Sequence, residues 1–298
     1  MEDSKIEEIL AKYEELRTQR FIDLTSDFGF KRIFTIKEFM IDFLNELFKA
    51  YRMKVRITDL TYLNTEDNGE VEKDKHIVLD LKCESQDGDV ILVEMQKRGQ
   101  EHFDDRVVYY MDRCVTEQGE PGDEMWKFGF KKVYGIFLMN FNDKKKPDSP
   151  AVRRCGWYDF TSRRSFGGMQ EFWLVNLPKF RQMLPESCRT GFDCWLYIIS
   201  NIKKMKEMPF IKRKPIFNGL KSMTELAAMS KRDRSAYMLE YDAYRTDVAT
   251  YDWDMKTSRA EGAKANAIET ASKMKQRGYP VDVISDITGL TPDEISKI

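Results

Sequence analysis

The chain has only two histidines, His76 and His102, and its five cysteines, Cys83, Cys114, Cys155, Cys188 and Cys194, form no Cys-x-x-Cys pair. A zinc centre built from imidazole and thiolate is therefore not expected. The odd cysteine count, with a charged N-terminal stretch MEDSKIEEILAKYEELR in place of a secretory leader, predicts reduced thiols and a cytoplasmic location. Long apolar runs are also missing. The longest, residues 133–141, is far too short to span a membrane and reads as a buried central strand, so no membrane association is expected. Charge of one sign is lacking too: 49 basic against 50 acidic residues leave a net charge of −1. That balance argues against an indiscriminate polyanion binder, though not against an acidic catalytic centre. Short basic clusters at 144–146, 153–154, 163–164 and 212–214 read as solvated surface charge, with a phosphate-facing stripe as the alternative. There is no internal repeat and no low-complexity tract.

What is present is enough apolar material for a core. Hydrophobic residues make up 42% of 298, which suits one larger domain and a smaller one. The most informative stretch is residues 77–98, IVLDLKCESQDGDVILVEMQKR. Two alternating runs flank Gln86-Asp87-Gly88, which predicts a β-hairpin. Ile77, Leu79, Leu81 and Cys83 fall on one face with Ile91, Val93 and Met95. Asp80, Lys82, Glu84, Glu94 and Gln96 fall on the other. A two-residue loop would set Asp80 opposite Met95. A three-residue loop with Gly88 left-handed sets Asp80 opposite Glu94 and gathers the apolar residues on one face, so that register is expected. Two carboxylates on a mostly buried hairpin are costly unless a cation or donor compensates them. Their oxygens suit a hard cation such as magnesium or manganese. Lys82 shares their face, either as a supplementary cation or as simple charge balance.

Around the hairpin, helical spacing predicts helices over residues 6–16, 37–50 and 101–118, and strands over 57–64, 133–141, 156–160 and 171–175. Residues 65–75 read as a polar loop and 142–150 as a basic one. After Pro178 the pattern turns helical, with helices expected over 194–205, 223–252 and 260–277, the last ended by Gly278 and Pro280. Asp27 and Lys31 are one helical turn apart, and Asp27 could equally cap the helix it precedes. Arg106 and Tyr110 have the same spacing. They suit a phosphate contact and a stacking ring, or a core tyrosine with an arginine at its rim.

Asp80 followed after a hairpin by Glu94-Met95-Gln96 resembles the Asp…Glu-x-Lys core of the PD-(D/E)XK nucleases. The Glu-x-Gln form is similar to their recombination-promoting nuclease and transposase branch. Residues 26–34 (SDFGFKRIF), 106–110 (RVVYY), 133–141, 176–180 (NLPKF) and 287–295 (ITGLTPDEI) resemble further segments of that family in the same order.

The resemblance implies an α/β fold: a restriction-endonuclease-like core, with a mixed sheet flanked by helices, and a helical C-terminal region. The expected organisation is an N-terminal helix over 1–20, the nuclease-like core over 21–180, a helical region over 181–259, and a tail over 260–298. It implies a magnesium- or manganese-dependent endonuclease acting on DNA in recombination or transposition. Asp80, Glu94 and the Met95 carbonyl would hold the metal, Gln96 would orient water, and Asp27 would complete the shell. Lys31, Arg106 and Tyr110 would contact nucleic acid. Gln96 stands where most relatives carry lysine and brings no charge. A protein that binds without cutting, or a ribonuclease, is the alternative. Cleavage of both strands needs two centres, so a homodimer is expected. The tail reads as a helix-turn-helix whose acidic residues Asp282, Asp286, Asp293 and Glu294 suit a protein partner at least as well as DNA.

Overall fold

The computed structural model describes residues 19–63, 80–99, 101–119, 129–143 and 146–298, with the backbone alone at 66–67 and 77–78. The helix expected over 6–16 and the side chains of Ile77 and Leu79 lie outside the described residues. The chain divides into two compact units, residues 1–240 and 241–298.

The first unit opens with helices α1 (Asp27–Phe34) and α2 (Lys37–Ala50). Ser26 caps α1 by accepting from the Gly29 amide at 2.9 Å. Gly29 has to be small, because a Cβ there would lie 2.1 Å from the Asp23 carbonyl oxygen. Strands β1 (Leu60–Tyr62), β2 (Glu66–Asp67), β3 (Ile77–Val78), β4 (Leu81–Ser85) and β5 (Val90–Gln96) follow. Helix α3 (Phe103–Thr116) then crosses over to β6 (Val133–Met139). After it come β7 (Val152–Gly156), the short pair β8 (Tyr158–Asp159) and β9 (Arg164–Ser165), and β10 (Gln170–Asn176). The strand expected over 156–160 is thus two pieces: β7 ends at Gly156 and the chain turns into a separate hairpin.

Six strands form one mixed sheet in the order β1-β4-β5-β6-β10-β7. β5, β6 and β10 run parallel, and the outer pairings are antiparallel. The two central strands β5 and β6 are buried along their whole length, as expected of parallel strands covered on both faces. One face carries Leu81, Cys83, Ile91, Val93, Met95, Tyr134, Ile136 and Trp173 against α1 and α2. The other carries Val90, Leu92, Phe137 and Leu174 against Phe103, Val107, Met111 and Cys114 of α3.

The region after β10 completes the first of these faces. Helices α4 (Leu177–Arg181), α5 (Gly191–Asn201) and α6 (Ile216–Thr224) bring Phe192, Trp195 and Phe217 into the same core as Phe34, Phe39 and Phe43. Trp195 meets Phe43 edge-on with centroids 6.0 Å apart, and such contacts add roughly 0.5–1.5 kcal/mol beyond burial.

Helix α7 (Lys231–Gln276) is continuous, where the sequence suggested two helices. Residues 253–259 contain neither glycine nor proline, so nothing there interrupts it. Its start is also later than expected. The Ser230 hydroxyl accepts from the Asp233 amide at 3.1 Å, and Leu226–Ala228 forms a separate short turn. In the second unit, α8 (Val281–Thr288) and α9 (Pro292–Ser296) form the expected tail hairpin. Gly289 between them is left-handed, and Thr291 and Glu294 make a capping box. Ile284, Leu290 and Ile295 bury against Ala267, Ala271 and Met274. Among the described residues no helix is long and apolar enough to cross a membrane.

Candidate active site

The β4–β5 hairpin has the three-residue-loop register. Leu81 pairs with Val93 and Cys83 with Ile91. The Ser85 amide donates to the Asp89 carbonyl at 2.9 Å, and Gly88 closes the loop at φ 83°. Continuing that register sets Asp80 opposite Glu94. β4 begins only at Leu81, so Asp80 bends away and bonds through side chains instead. Its amide donates to Glu94 Oε1 at 2.9 Å, and its Oδ2 accepts from the Met95 amide at 2.6 Å. Gln96 Nε2 donates to Glu94 Oε2 at 3.0 Å.

This pair sits in low-dielectric surroundings. Glu94 is 3% exposed, and neither carboxylate forms an ion pair among the described residues. Burial, then the Asp80 charge, pushes the Glu94 carboxyl up to about 8; the Asp80 amide, the Arg106 charge and Gln96 hold it back. Burial likewise raises Asp80, and the charge of Asp27 adds to it. The Met95 amide and the ammonium groups of Lys31 and Lys97 act the other way.

Asp27, Lys31, Asp80, Glu94, Gln96 and Arg106 are thus brought to one end of the sheet. Asp27 and Lys31 pair with each other at 3.2 Å on α1, and Ser26, not Asp27, provides the helix cap. Arg106 Nη2 donates to the Tyr110 hydroxyl at 2.9 Å, and its guanidinium lies 5.3 Å from the centroid of that ring. Lys82 does not join the cluster. Its side chain is 13% exposed and pairs with Glu117 beyond the C-terminal end of α3, where Arg113 also bonds Glu117. This is the charge-balance arrangement.

Two residues were not found from sequence. Lys97 follows Gln96, and strict alternation would turn it away from Glu94. β5 ends at Gln96, however, and beyond it Lys97 Nζ reaches Glu240 at 3.0 Å. Glu240, in α7, also accepts from the amides of Asp27 and Phe28 at 2.7 and 2.6 Å. It thereby clamps the start of α1 to the end of β5. No local pattern marks it, because its partners lie 143 to 213 residues away in the chain.

The donor set fits a hard divalent cation. Two opposed carboxylates are supplemented by the Met95 carbonyl, since a strand residue directs its N–H and C=O to the same edge and the Met95 N–H faces Asp80. A bound cation would also offset the cost of ionising the buried Glu94. Among the described residues no group of three or more His, Cys, Asp or Glu side chains could hold a metal. A site with two carboxylates leaves positions for water and phosphate, as magnesium prefers.

No curated protein and no solved structure matches the chain. Residues 24–253, a span that holds every element of this site from Asp27 to Glu240, match the PD-(D/E)XK nuclease family transposase, and the chain belongs to that nuclease family.

Proposed function

We propose that this protein is a divalent-metal-dependent endonuclease acting on DNA, with Asp80 and Glu94 as its metal ligands. The observation that carries this reading is the buried carboxylate pair, cross-bonded through the main chain and without a protein cation paired to it. Magnesium or manganese there would neutralise phosphate charge and acidify a bound water. The chain's own residues supply the rest. Gln96 holds Glu94 in place through its amide. The Met95 amide orients Asp80 so that its second oxygen is left for a ligand. Arg106, oriented by Tyr110, offers a guanidinium to a phosphate at the rim. Lys31 and Lys97 lend positive charge on the Asp80 side. A homodimer would bring two such centres to the two strands of a duplex.

A second reading, a binding module that does not cut, is favoured by one feature. Gln96 is uncharged, and its amide already bonds Glu94. Supercoiled-plasmid cleavage in magnesium or manganese separates the two. Nicking by the wild type that is lost in both Asp80→Ala and Glu94→Ala is the expected result. No cleavage with either metal, or cleavage that survives both substitutions, overturns the proposal. Matched RNA digested in parallel identifies a ribonuclease.

A further inference from the structure

The β8–β9 hairpin exposes aromatic side chains that pack into no core. Trp157 is 57% exposed, Tyr158 49%, Phe160 86% and Phe166 65%. Four large rings within ten residues form the kind of surface a soluble chain keeps for a ligand. The hairpin is held in shape. Phe166 donates its amide to the Trp157 carbonyl at 3.0 Å. The Trp157 indole donates to Gln170 Oε1 at 2.9 Å, and Gln170 in turn donates to Asp112 of α3 at 2.9 Å. Tyr158 and Phe160 meet edge-on at 5.6 Å. Asp159, the hairpin's only acid, is engaged by the turn: it accepts from the Thr161 and Ser162 amides and from the Ser162 hydroxyl.

The charges at the tip point to a polyanion. Arg163 and Arg164 are exposed and form no ion pair among the described residues. Arg153 and Arg154, on the neighbouring strand, are paired with Asp143 and Glu171. An apolar protein partner would have to bury both free guanidinium groups at a cost. Unpaired bases flanked by phosphates would use both features, by stacking on the rings and bonding the arginines.

We propose that the 157–166 hairpin is a second nucleic-acid contact, which takes unpaired bases on Trp157, Tyr158, Phe160 and Phe166 and phosphates on Arg163 and Arg164. It rests on the nuclease reading only for the identity of the polymer. Gln170, beside Trp157, lies four residues before Leu174 along β10, and Leu174 is level with Glu94 across β6. The hairpin is thus displaced from the carboxylates by roughly 13 Å along the strands. Single-stranded segments near a cut site would be held there and away from the metal ligands.

The test is fluorescence anisotropy of the full chain with labelled oligothymidylate in EDTA, where no cleavage occurs. Phe160→Ala/Phe166→Ala and Arg163→Ala/Arg164→Ala are each expected to weaken binding about tenfold or more. The arginine pair should also lower the salt slope by about 1 to 1.5. Both changes are at exposed positions, and unchanged thermal unfolding shows that the fold is kept. Wild-type affinity in both hairpin variants, or tighter binding of a blunt duplex than of the single strand, overturns the inference. So does a change in sedimentation with oligonucleotide binding intact, which would mark a protein contact. Because binding is read without metal, the nuclease reading can fail while this one stands, and the reverse.

Discussion

Asp80 and Glu94 are bonded across the hairpin through the main chain, with the Asp80 amide on Glu94 Oε1 and Asp80 Oδ2 on the amide of Met95, the residue after Glu94. The bonds hold two acids together that would otherwise repel, and each leaves the pair short of positive charge. Calorimetric titration with manganese is expected to show binding by the wild type and none by Glu94→Ala. Asp80→Asn should bind more weakly, because it keeps the acceptor for Met95 and loses the charge. Equal affinity in all three would place the metal elsewhere.

The same pair sets a pH dependence. Glu94 stands at about 8 in the folded, metal-free protein against an ordinary 4.5. Between those values the native state holds a proton that the unfolded chain has released, so stability falls as pH rises. The loss starts near pH 4.5, levels off above about pH 8 and amounts to a few kcal/mol on the order-of-magnitude scale. Asp80, also raised, acts with the same sign. Thermal unfolding in EDTA from pH 5 to 8 should show a falling midpoint. Glu94→Gln should flatten it, and saturating manganese should restore the midpoint at pH 8. A midpoint that rises over this range in EDTA would contradict the burial of an acid there.

Much of this arrangement is legible in the sequence, for a physical reason. Side chains alternate with period two along a strand. Only the three-residue loop put Leu81, Cys83, Ile91, Val93 and Met95 on one face, and that is the register found. Helix α2 was legible in the same way from its apolar stripe. Long-range partners were not legible. Glu240 meets Asp27, Phe28 and Lys97 only because α7 returns to the sheet, and nothing in its own neighbourhood distinguishes it from other helical glutamates. The position of Lys82 on the carboxylate face was legible too, but not which acid it would choose. Strand periodicity gives a direction, whereas the partner depends on where α3 ends.

Lys82 therefore has a clear expectation. It pairs with Glu117, which also binds Arg113. Lys82→Met should leave metal-dependent cleavage within a few-fold of wild type and cost about 1 kcal/mol of stability or less, since Glu117 keeps Arg113. A loss of cleavage at unchanged stability would mean that Lys82 serves the reaction.

Glu240 has the opposite expectation, because it joins three groups at the site. It receives the first two amides of α1, where the helix dipole favours a carboxylate, and the ammonium of Lys97. Removing it leaves those amides without their acceptor and takes an acidic partner from Lys97, whose charge acts on Asp80. Glu240→Ala should cost about 1–3 kcal/mol, the usual range for hydrogen bonds to a charged group. Glu240→Gln can still accept one amide and should cost less. The two contributions separate in a double-mutant cycle. Lys97→Met combined with Glu240→Gln should show a coupling of about 0.2–1 kcal/mol in urea unfolding, as expected for a half-buried pair. Cleavage should fall in Glu240→Gln as well, although this residue touches neither metal nor substrate, because it fixes where Lys97 and α1 stand relative to Asp80. Strictly additive unfolding energies together with unchanged cleavage would show that the clamp holds the fold alone, with the charge near Asp80 set by other residues.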